Sequence, residues 1–408
     1  MRLMTTRMEN RKLFVSFKMS EVCNLDCPYC YFFFNGDESH KDNPARMPVR
    51  IAELTGKFLA EGARELGIPV VSIALHGGEP LMVGKKRFRE ICDALIRTIS
   101  PHASLQLGVQ TNGILLDEEW IRLFSELNIS VGISIDGPKH INDAVRFDKL
   151  KRGSYDRIVQ GIKLLQKSHK EGLIGEPGAL AVILPGTSAK EIYNHIVHDL
   201  GLWKFDFMLP KDSWENYSQD MSSFVEKFSL ELMNCWLEDD NPNINVRSMK
   251  NMFAPFLTDF GVDTRINYIV DLTETITIRS NGDVSPDDSL PSISKEYRHT
   301  GCNVATSTLK EFYAHPLWED LRHTISKPPE ACAKCEWLGF CGGGELITRY
   351  SKSRKFDNPT IYCNRNKILY SRVREYISDY LDSKEIDDRI HRSNELALLE
   401  LALDSEPA

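Results

Sequence analysis

The chain has no excess of positive charge: 50 Lys and Arg stand against 58 Asp and Glu, a formal net charge of -8 over 408 residues. Proteins that grip nucleic acid through its phosphates need a cationic footprint, so general nucleic-acid binding is not expected. No uninterrupted apolar run approaches the roughly 18 residues of a spanning helix, and the opening MRLMTTRMENRKLF lacks the apolar core of a signal peptide. The expectation is a cytoplasmic protein with no membrane partner. Solenoid repeats, low-complexity tracts and Pro/Gly-rich linkers are also missing. Ten cysteines in such a chain read as metal ligands or buried thiols rather than disulfides, because the cytosol keeps thiols reduced.

What is present is alternation. LFVSFKM (13–19), VVSIAL (70–75), LQLGVQ (105–110), ISVGISI (129–135), ALAVIL (179–184) and FDFML (205–209) read as near-continuously apolar strands. Segments with apolar residues at helical spacing lie between them, such as RIAELTGKFLAEGARELG and SYDRIVQGIKLLQKSH. Strand-helix alternation predicts an α/β fold with a parallel sheet and right-handed crossovers, over residues 1–212. A helical connector is expected over 213–272, then a cysteine-rich domain over 273–365 that opens with a hairpin around Asn281-Gly282, then a helical segment over 366–408.

Cys23, Cys27 and Cys30 form CxxxCxxC directly after the first strand. Loops at strand C-termini make the functional face of a parallel α/β sheet, so three thiolates meet there. A [4Fe-4S] cube wants four protein ligands, and three leave one iron open to a small molecule. A structural zinc would want a fourth Cys or His, and His40 is too remote in sequence to recommend itself. The motif resembles the signature of the radical S-adenosylmethionine (SAM) enzymes, CxxxCxΦC with Φ aromatic, through Cys23, Cys27, Tyr29 and Cys30. The resemblance implies a partial (βα)6 TIM-like barrel whose open iron chelates SAM, with Tyr29 packed near the adenine. One-electron reduction then yields a 5'-deoxyadenosyl radical.

Later strand ends repeat the likeness. His76-Gly77-Gly78-Glu79-Pro80 offers glycines for close backbone approach and a carboxylate for an ammonium. The family's pattern makes Asn112, Ser134 and Asp136 candidates for the ribose and methionine ends of SAM, Arg146 for its carboxylate, and Leu209 for a cover over the adenine. Phe32 and His76 are candidate linings of a substrate pocket, whereas Phe33 and Phe34 are expected in the core.

Cys332, Cys335 and Cys341 read CxxCx5C, with Cys363 beyond, a set that can close around a zinc or a cluster. This run resembles the SPASM-type domain of one radical SAM subfamily, where it ligates an auxiliary [4Fe-4S] cluster. That domain ordinarily holds a second auxiliary cluster, but Asp287 and Glu345 stand where its cysteines are expected. Two clusters in total are therefore implied. Asp288 falls where sulfatase-maturing relatives carry a general base. Cys92, Cys235 and Cys302 are expected to be structural.

The resemblance points to a peptide-modifying oxidoreductase that installs C-C or C-O side-chain crosslinks in a ribosomal precursor peptide, leader plus core, after hydrogen abstraction from Cβ. Its electrons are expected from a flavodoxin or ferredoxin. With 22 residues before Cys23, leader recognition is expected on the domain surfaces, the C-terminal helices or a separate protein. The alternatives are a thioether-forming or formylglycine-forming (sulfatase) maturase and, outside enzymology, an iron-sulfur redox sensor or metal-stabilised scaffold.

Overall fold

The computed structural model describes residues 11–34, 38–257, 275–318, 321, 324 and 327–403. The chain forms two compact units, one of residues 1–180 with 271–319 and one of residues 181–270 with 320–408. These units divide the chain differently from the segments expected from sequence: 181–212 cluster with C-terminal residues, and 271–319 with N-terminal ones.

In the first unit, β1 (Lys12–Ser20), β2 (Val70–Gly77), β3 (Ser104–Thr111), β4 (Ile129–Ser134) and the start of β5 (Gly178–Val182) pair in parallel and in sequence order. β6 (Lys204–Met208) and β7 (Asn245–Val246) form a short parallel pair in the second unit. β8 (Thr275–Ile278) joins the first unit on the free edge of β1, in register from Phe14↔Thr275 to Phe17↔Ile278. The expected hairpin around Gly282 is present, with β9 (Val284–Ser285) antiparallel to β8. Its turn needs Gly282, whose φ is +89°. The hairpin therefore extends the α/β sheet by side-by-side pairing with β1.

The strands alternate instead of running continuously apolar. Leu13, Val15, Phe17 and Met19 on β1, with Val71, Ile73 and Leu75 on β2, are buried on one face. The opposite face carries Ser16 and Lys18 from β1, His76 from β2, Gln106 and Gln110 from β3, and Ser130 and Ser134 from β4. Period-two alternation thus separates an apolar face from a chemical one. Helices Val49–Leu66 and Lys85–Ile99 bury Phe58, Leu59, Phe88, Ile91 and Leu95. The first of them stops at Gly67, whose φ of 63° lets its N–H reach back toward Ala63 O.

In the second unit, Ser218 caps the helix Gln219–Asp239 by accepting from the Met221 N–H. Helix Arg247–Leu257 follows, and the expected connector beyond residue 257 lies outside the described residues. Helices Cys363–Ile377 and Ser383–Leu403 supply the expected C-terminal helical segment up to residue 403. Among the described residues no helix is long and apolar enough to cross a membrane.

Gly62 marks one tight contact in the first unit. A Cβ at this position would lie 2.5 Å from Leu309 Cβ, on the helix Leu309–Tyr313 that Thr308 and Glu311 fix with a capping box. Gly62→Val is expected to lower the unfolding free energy by about 1–3 kcal/mol, read from the denaturant midpoint; an unchanged midpoint would show that the Leu309 helix yields freely.

Candidate active site

The cysteine loop leaves β1 at Ser20 and is held by backbone bonds. Gly78 N donates to Ser20 O at 2.7 Å and Glu79 N to Val22 O at 2.9 Å. A Cβ on Gly77 would lie 2.1 Å from Ser20 O, and one on Gly78 2.4 Å from Val22 O. Both glycines thus closely approach the cysteine loop. On the loop's other side, Asp26 N donates to Phe147 O at 2.8 Å. Within it Cys30 N donates to Cys27 O at 3.0 Å, and the Cys30 carbonyl accepts the Phe34 N–H at 2.9 Å to start the helix Tyr31–Phe34.

All three thiols are part-buried. Burial pushes Cys23 up to about 12, with Glu79 and the other two cysteines adding to the rise, and pushes Cys27 up to about 11 against the pull of Arg146. Three thiolates here need a positive counter-charge, which suits an iron-sulfur cluster. The backbone N–H of Leu25, 3.4 Å from Cys23 Sγ, and the amide of Asn112 at 3.9 Å point toward that sulfur.

Glu79 is buried with its carboxylate accepting from Thr111 Oγ1 at 2.7 Å, Asn112 N at 2.9 Å and Leu81 N at 3.1 Å. Burial still pushes its carboxyl up to about 7, so an ammonium arriving beside it would favour the charged form. Asn112 Nδ2 also donates to Asn24 Oδ1 at 2.7 Å, and Ser134 Oγ accepts from Gln110 Nε2 at 2.9 Å. Asp136, fully buried, pairs with Arg146 (Nε to Oδ2 2.8 Å) and accepts the Tyr29 hydroxyl, while the Arg146 guanidinium lies 5.6 Å from the Tyr29 ring centroid. Tyr29, Asp136 and Arg146 are thus one interlocked group. Leu209 follows β6 in the second unit, part-buried.

Asp288, beyond the β8–β9 hairpin, returns to β1. Its Oδ2 accepts from Lys18 Nζ at 2.5 Å, Tyr31 OH at 2.6 Å and Ser16 Oγ at 3.2 Å. Burial opposes its charge, yet Lys18 and to a lesser degree His76, with the Lys18 and Tyr31 hydrogen bonds, hold this carboxyl well below the usual carboxylate range. His76 is neutral at physiological pH: burial, then Lys18, lowers it to about 4. Phe32 is 1% exposed, beneath the Lys18 ammonium 4.9 Å from its ring centroid and edge-on to Phe33. Phe34, expected in the core, is 56% exposed, because the one-turn helix carries it to the side away from Phe32.

In the second unit, Cys332, Cys335, Cys341 and Cys363 line one cavity with ≈ 310 Å³ of empty space, part of it open to solvent. Burial, followed by the nearby Cys341, Cys363 and Cys335, pushes Cys332 up to about 12. Asn366 Nδ2 lies 3.5 Å from Cys341 Sγ. Among the described residues no three His, Cys, Asp or Glu converge as they would on a single metal ion. Four thiols ranged around one space can serve a zinc or a cluster.

The model of the radical SAM superfamily matches residues 17–196, which include the end of β1, the cysteine loop and strands β2 to β5. The chain carries a radical SAM domain. It is similar to a cysteine-type anaerobic sulfatase-maturating enzyme of Clostridium novyi (strain NT), 26% identical over 366 residues that cover 86% of this chain and 92% of the relative. A serine-type anaerobic sulfatase-maturating enzyme of Bacteroides thetaiotaomicron is 36% identical over 158 residues, 38% of this chain and 37% of the relative. Among solved structures, native anSMEcpe with bound AdoMet and Cp18Cys peptide superposes with a TM-score of 0.72 at 23% identity, covering 94% of this chain and 99% of the other. The α/β fold with its parallel sheet is therefore shared with that AdoMet-bound protein.

Lys18 is the residue that sequence reading of the radical SAM domain missed. Its signal was available: a lysine on the polar alternate of an otherwise apolar first strand, 1% exposed once folded. Removing one member of the Asp136–Arg146 pair is the sharpest test of the interlocked group. Arg146→Met, which leaves Asp136 buried without its cation, is expected to destabilise the protein by roughly 3–5 kcal/mol in chemical denaturation; a loss below about 1 kcal/mol would mean that water or Tyr29 replaces the guanidinium.

Proposed function

We propose that this radical SAM protein modifies a ribosomally made precursor peptide, joining side chains through a C-C or C-O bond after hydrogen abstraction from Cβ. Cys23, Cys27 and Cys30 would hold the SAM-binding [4Fe-4S] cluster, and Cys332, Cys335, Cys341 and Cys363 an auxiliary one in a SPASM-type domain. When bound, cluster and SAM supply a one-electron route to a hydrogen-abstracting radical. Glu79 would receive the SAM ammonium, with Tyr29, Gly77, Gly78, Asn112, Ser134, Asp136 and Arg146 the other candidate cofactor contacts of the first unit and Leu209 a candidate in the second. Asp288 accepts the proton that the substrate sheds, with His76 and Phe32 beside it. A flavodoxin or ferredoxin supplies electrons.

The observation that carries the crosslinking reading is the fate of two positions. Asp287 accepts from the Ser289 N–H and hydroxyl at 2.9 and 2.5 Å, and Glu345 pairs with Lys211 at 3.4 Å. Carboxylates engaged in this way at the positions expected for further cysteines leave the protein with two clusters. A second reading, formylglycine or thioether formation on a sulfatase or peptide, is favoured by the sulfatase-maturating relatives that align with 86% of the chain.

Anaerobic reconstitution is expected to give about eight irons per chain, and about four after replacing Cys23, Cys27 and Cys30 together with alanine; tightly bound zinc with no SAM cleavage would sink the enzymatic reading. Co-expression with the peptide of any short reading frame found beside its gene, followed by tandem mass spectrometry, separates the reactions. Loss of two hydrogens between an aromatic and another side chain supports crosslinking. An aldehyde in place of Cys or Ser, or a new bond to sulfur, supports the second reading and rejects the first.

A further inference from the structure

The ion pair between Lys18 and Asp288 is more specific than charge neutralisation requires. Lys18 stands on the polar face of β1 with its side chain 1% exposed, whereas Asp288 keeps 21% of its side chain accessible. Three donors from two elements converge on a single oxygen: Lys18 Nζ, Tyr31 OH and Ser16 Oγ all bond Oδ2. Among the described residues no hydrogen bond reaches Oδ1. A carboxylate has about four lone-pair sites, so one oxygen is saturated while the other keeps its full accepting capacity. Lys18 also donates to Tyr31 OH at 2.8 Å and sits 4.9 Å from the ring centroids of both Tyr31 and Phe32. Its ammonium therefore holds the carboxylate, the phenol and the start of the helix after Cys30 in one arrangement.

We propose that Lys18 is a positioning residue: with Ser16 and Tyr31 it locks Oδ2 of Asp288 and leaves Oδ1 as the oxygen that accepts the substrate's proton. The inference rests on the reading of Asp288 as the proton acceptor. A ring that has joined a carbon radical and passed one electron to an oxidised [4Fe-4S] cluster would be a strong carbon acid. Its acceptor needs a fixed place and an empty lone pair more than it needs high basicity. The groups that face Asp288 support a permanently ionised acceptor: Ser16 and Lys18 from β1, Tyr31 from the helix after Cys30, His76 from the end of β2, and Asp287 next in the chain, with Lys18 as their cation. His76 is held neutral and does not compete for the charge.

The test uses the reconstituted protein with, as probe, the peptide of a short reading frame found beside its gene and shown by co-expression to be modified, and reads the ratio of modified peptide to 5'-deoxyadenosine between pH 5.5 and 9. Asp288→Asn should lower this ratio by about 100-fold or more. Lys18→Met should lower it by about tenfold and bring an acid limb up into this pH range from below it, and Lys18→Arg should take the limb back down. Infrared spectra, differenced against Asp288→Asn, should show a protonated Asp288 carboxyl at pH 5.5 in Lys18→Met and none in the unaltered protein. If Lys18→Met does not fold, Tyr31→Phe removes one donor and keeps the ring, and should move the limb in the same direction by less. An unchanged ratio in Asp288→Asn would defeat the reading of Asp288 and the role of Lys18 with it. A lost ratio in Asp288→Asn with an unmoved acid limb in Lys18→Met, or in Tyr31→Phe where that stands in for it, would overturn the role of Lys18 alone.

Discussion

Two backbone hydrogen bonds, from Gly78 N to Ser20 O and from Glu79 N to Val22 O, fix everything that happens at the end of β1. They require the β2 exit to lie against the cysteine loop with no side chain between, which is why positions 77 and 78 are glycine. The same contact brings Glu79 into the fold with its carboxylate already bonded to Thr111 and Asn112 at the end of β3. Asn112 in turn points its amide at Asn24 and Cys23. Three successive strand ends are thereby tied into one structure before any cofactor arrives. This organisation lowers the cost of gathering three like-charged thiolates, because the loop that carries them is held by neutral backbone bonds.

The second constraint is the division of the sheet into an apolar and a polar face. Buried ammonium and carboxylate groups are costly unless each finds the other. Lys18 and Asp288 do so although they are far apart in sequence, and Asp136 and Arg146 do so across the short helix Lys139–Val145. The two pairs serve different ends. Asp136 is closed in by Arg146 and Tyr29 and has the character of a brace; Asp288 keeps part of its surface open and has the character of a tool.

The strands, their order in chain and the cysteine motifs were legible because each is local: alternation, spacing and turn residues lie within a few positions of one another. The near-continuously apolar strands of the sequence reading gave way to alternating faces, since Ser16, Lys18, His76 and Gln110 sit among apolar neighbours that dominate a short window. Phe34 was misplaced for a related reason: apolarity alone does not say which side of a one-turn helix a ring takes. The pairing of β8 with β1 and the return of Asp288 to Lys18 join residues more than 250 positions apart, and no local pattern carries such a contact. For the same reason the close approach of Gly77 and Gly78 to the cysteine loop was not legible.

Tyr29 and Tyr31 show how one short loop serves both constraints. They flank Cys30, yet Tyr29 donates to Asp136 in the loop after β4 and Tyr31 donates to Asp288 beyond β9. Burial raises both phenols well above their ordinary range, and the nearby carboxylates add to it, so each remains a hydrogen-bond donor at any physiological pH. A donor that cannot ionise gives a fixed direction to the carboxylate it meets. Replacing either hydroxyl by hydrogen would leave the ring packed but release its carboxylate from one of its donors. The cysteine loop is thus the element through which the brace and the tool are held at a set distance from each other, which explains why aromatic residues alternate so closely with the last cysteine.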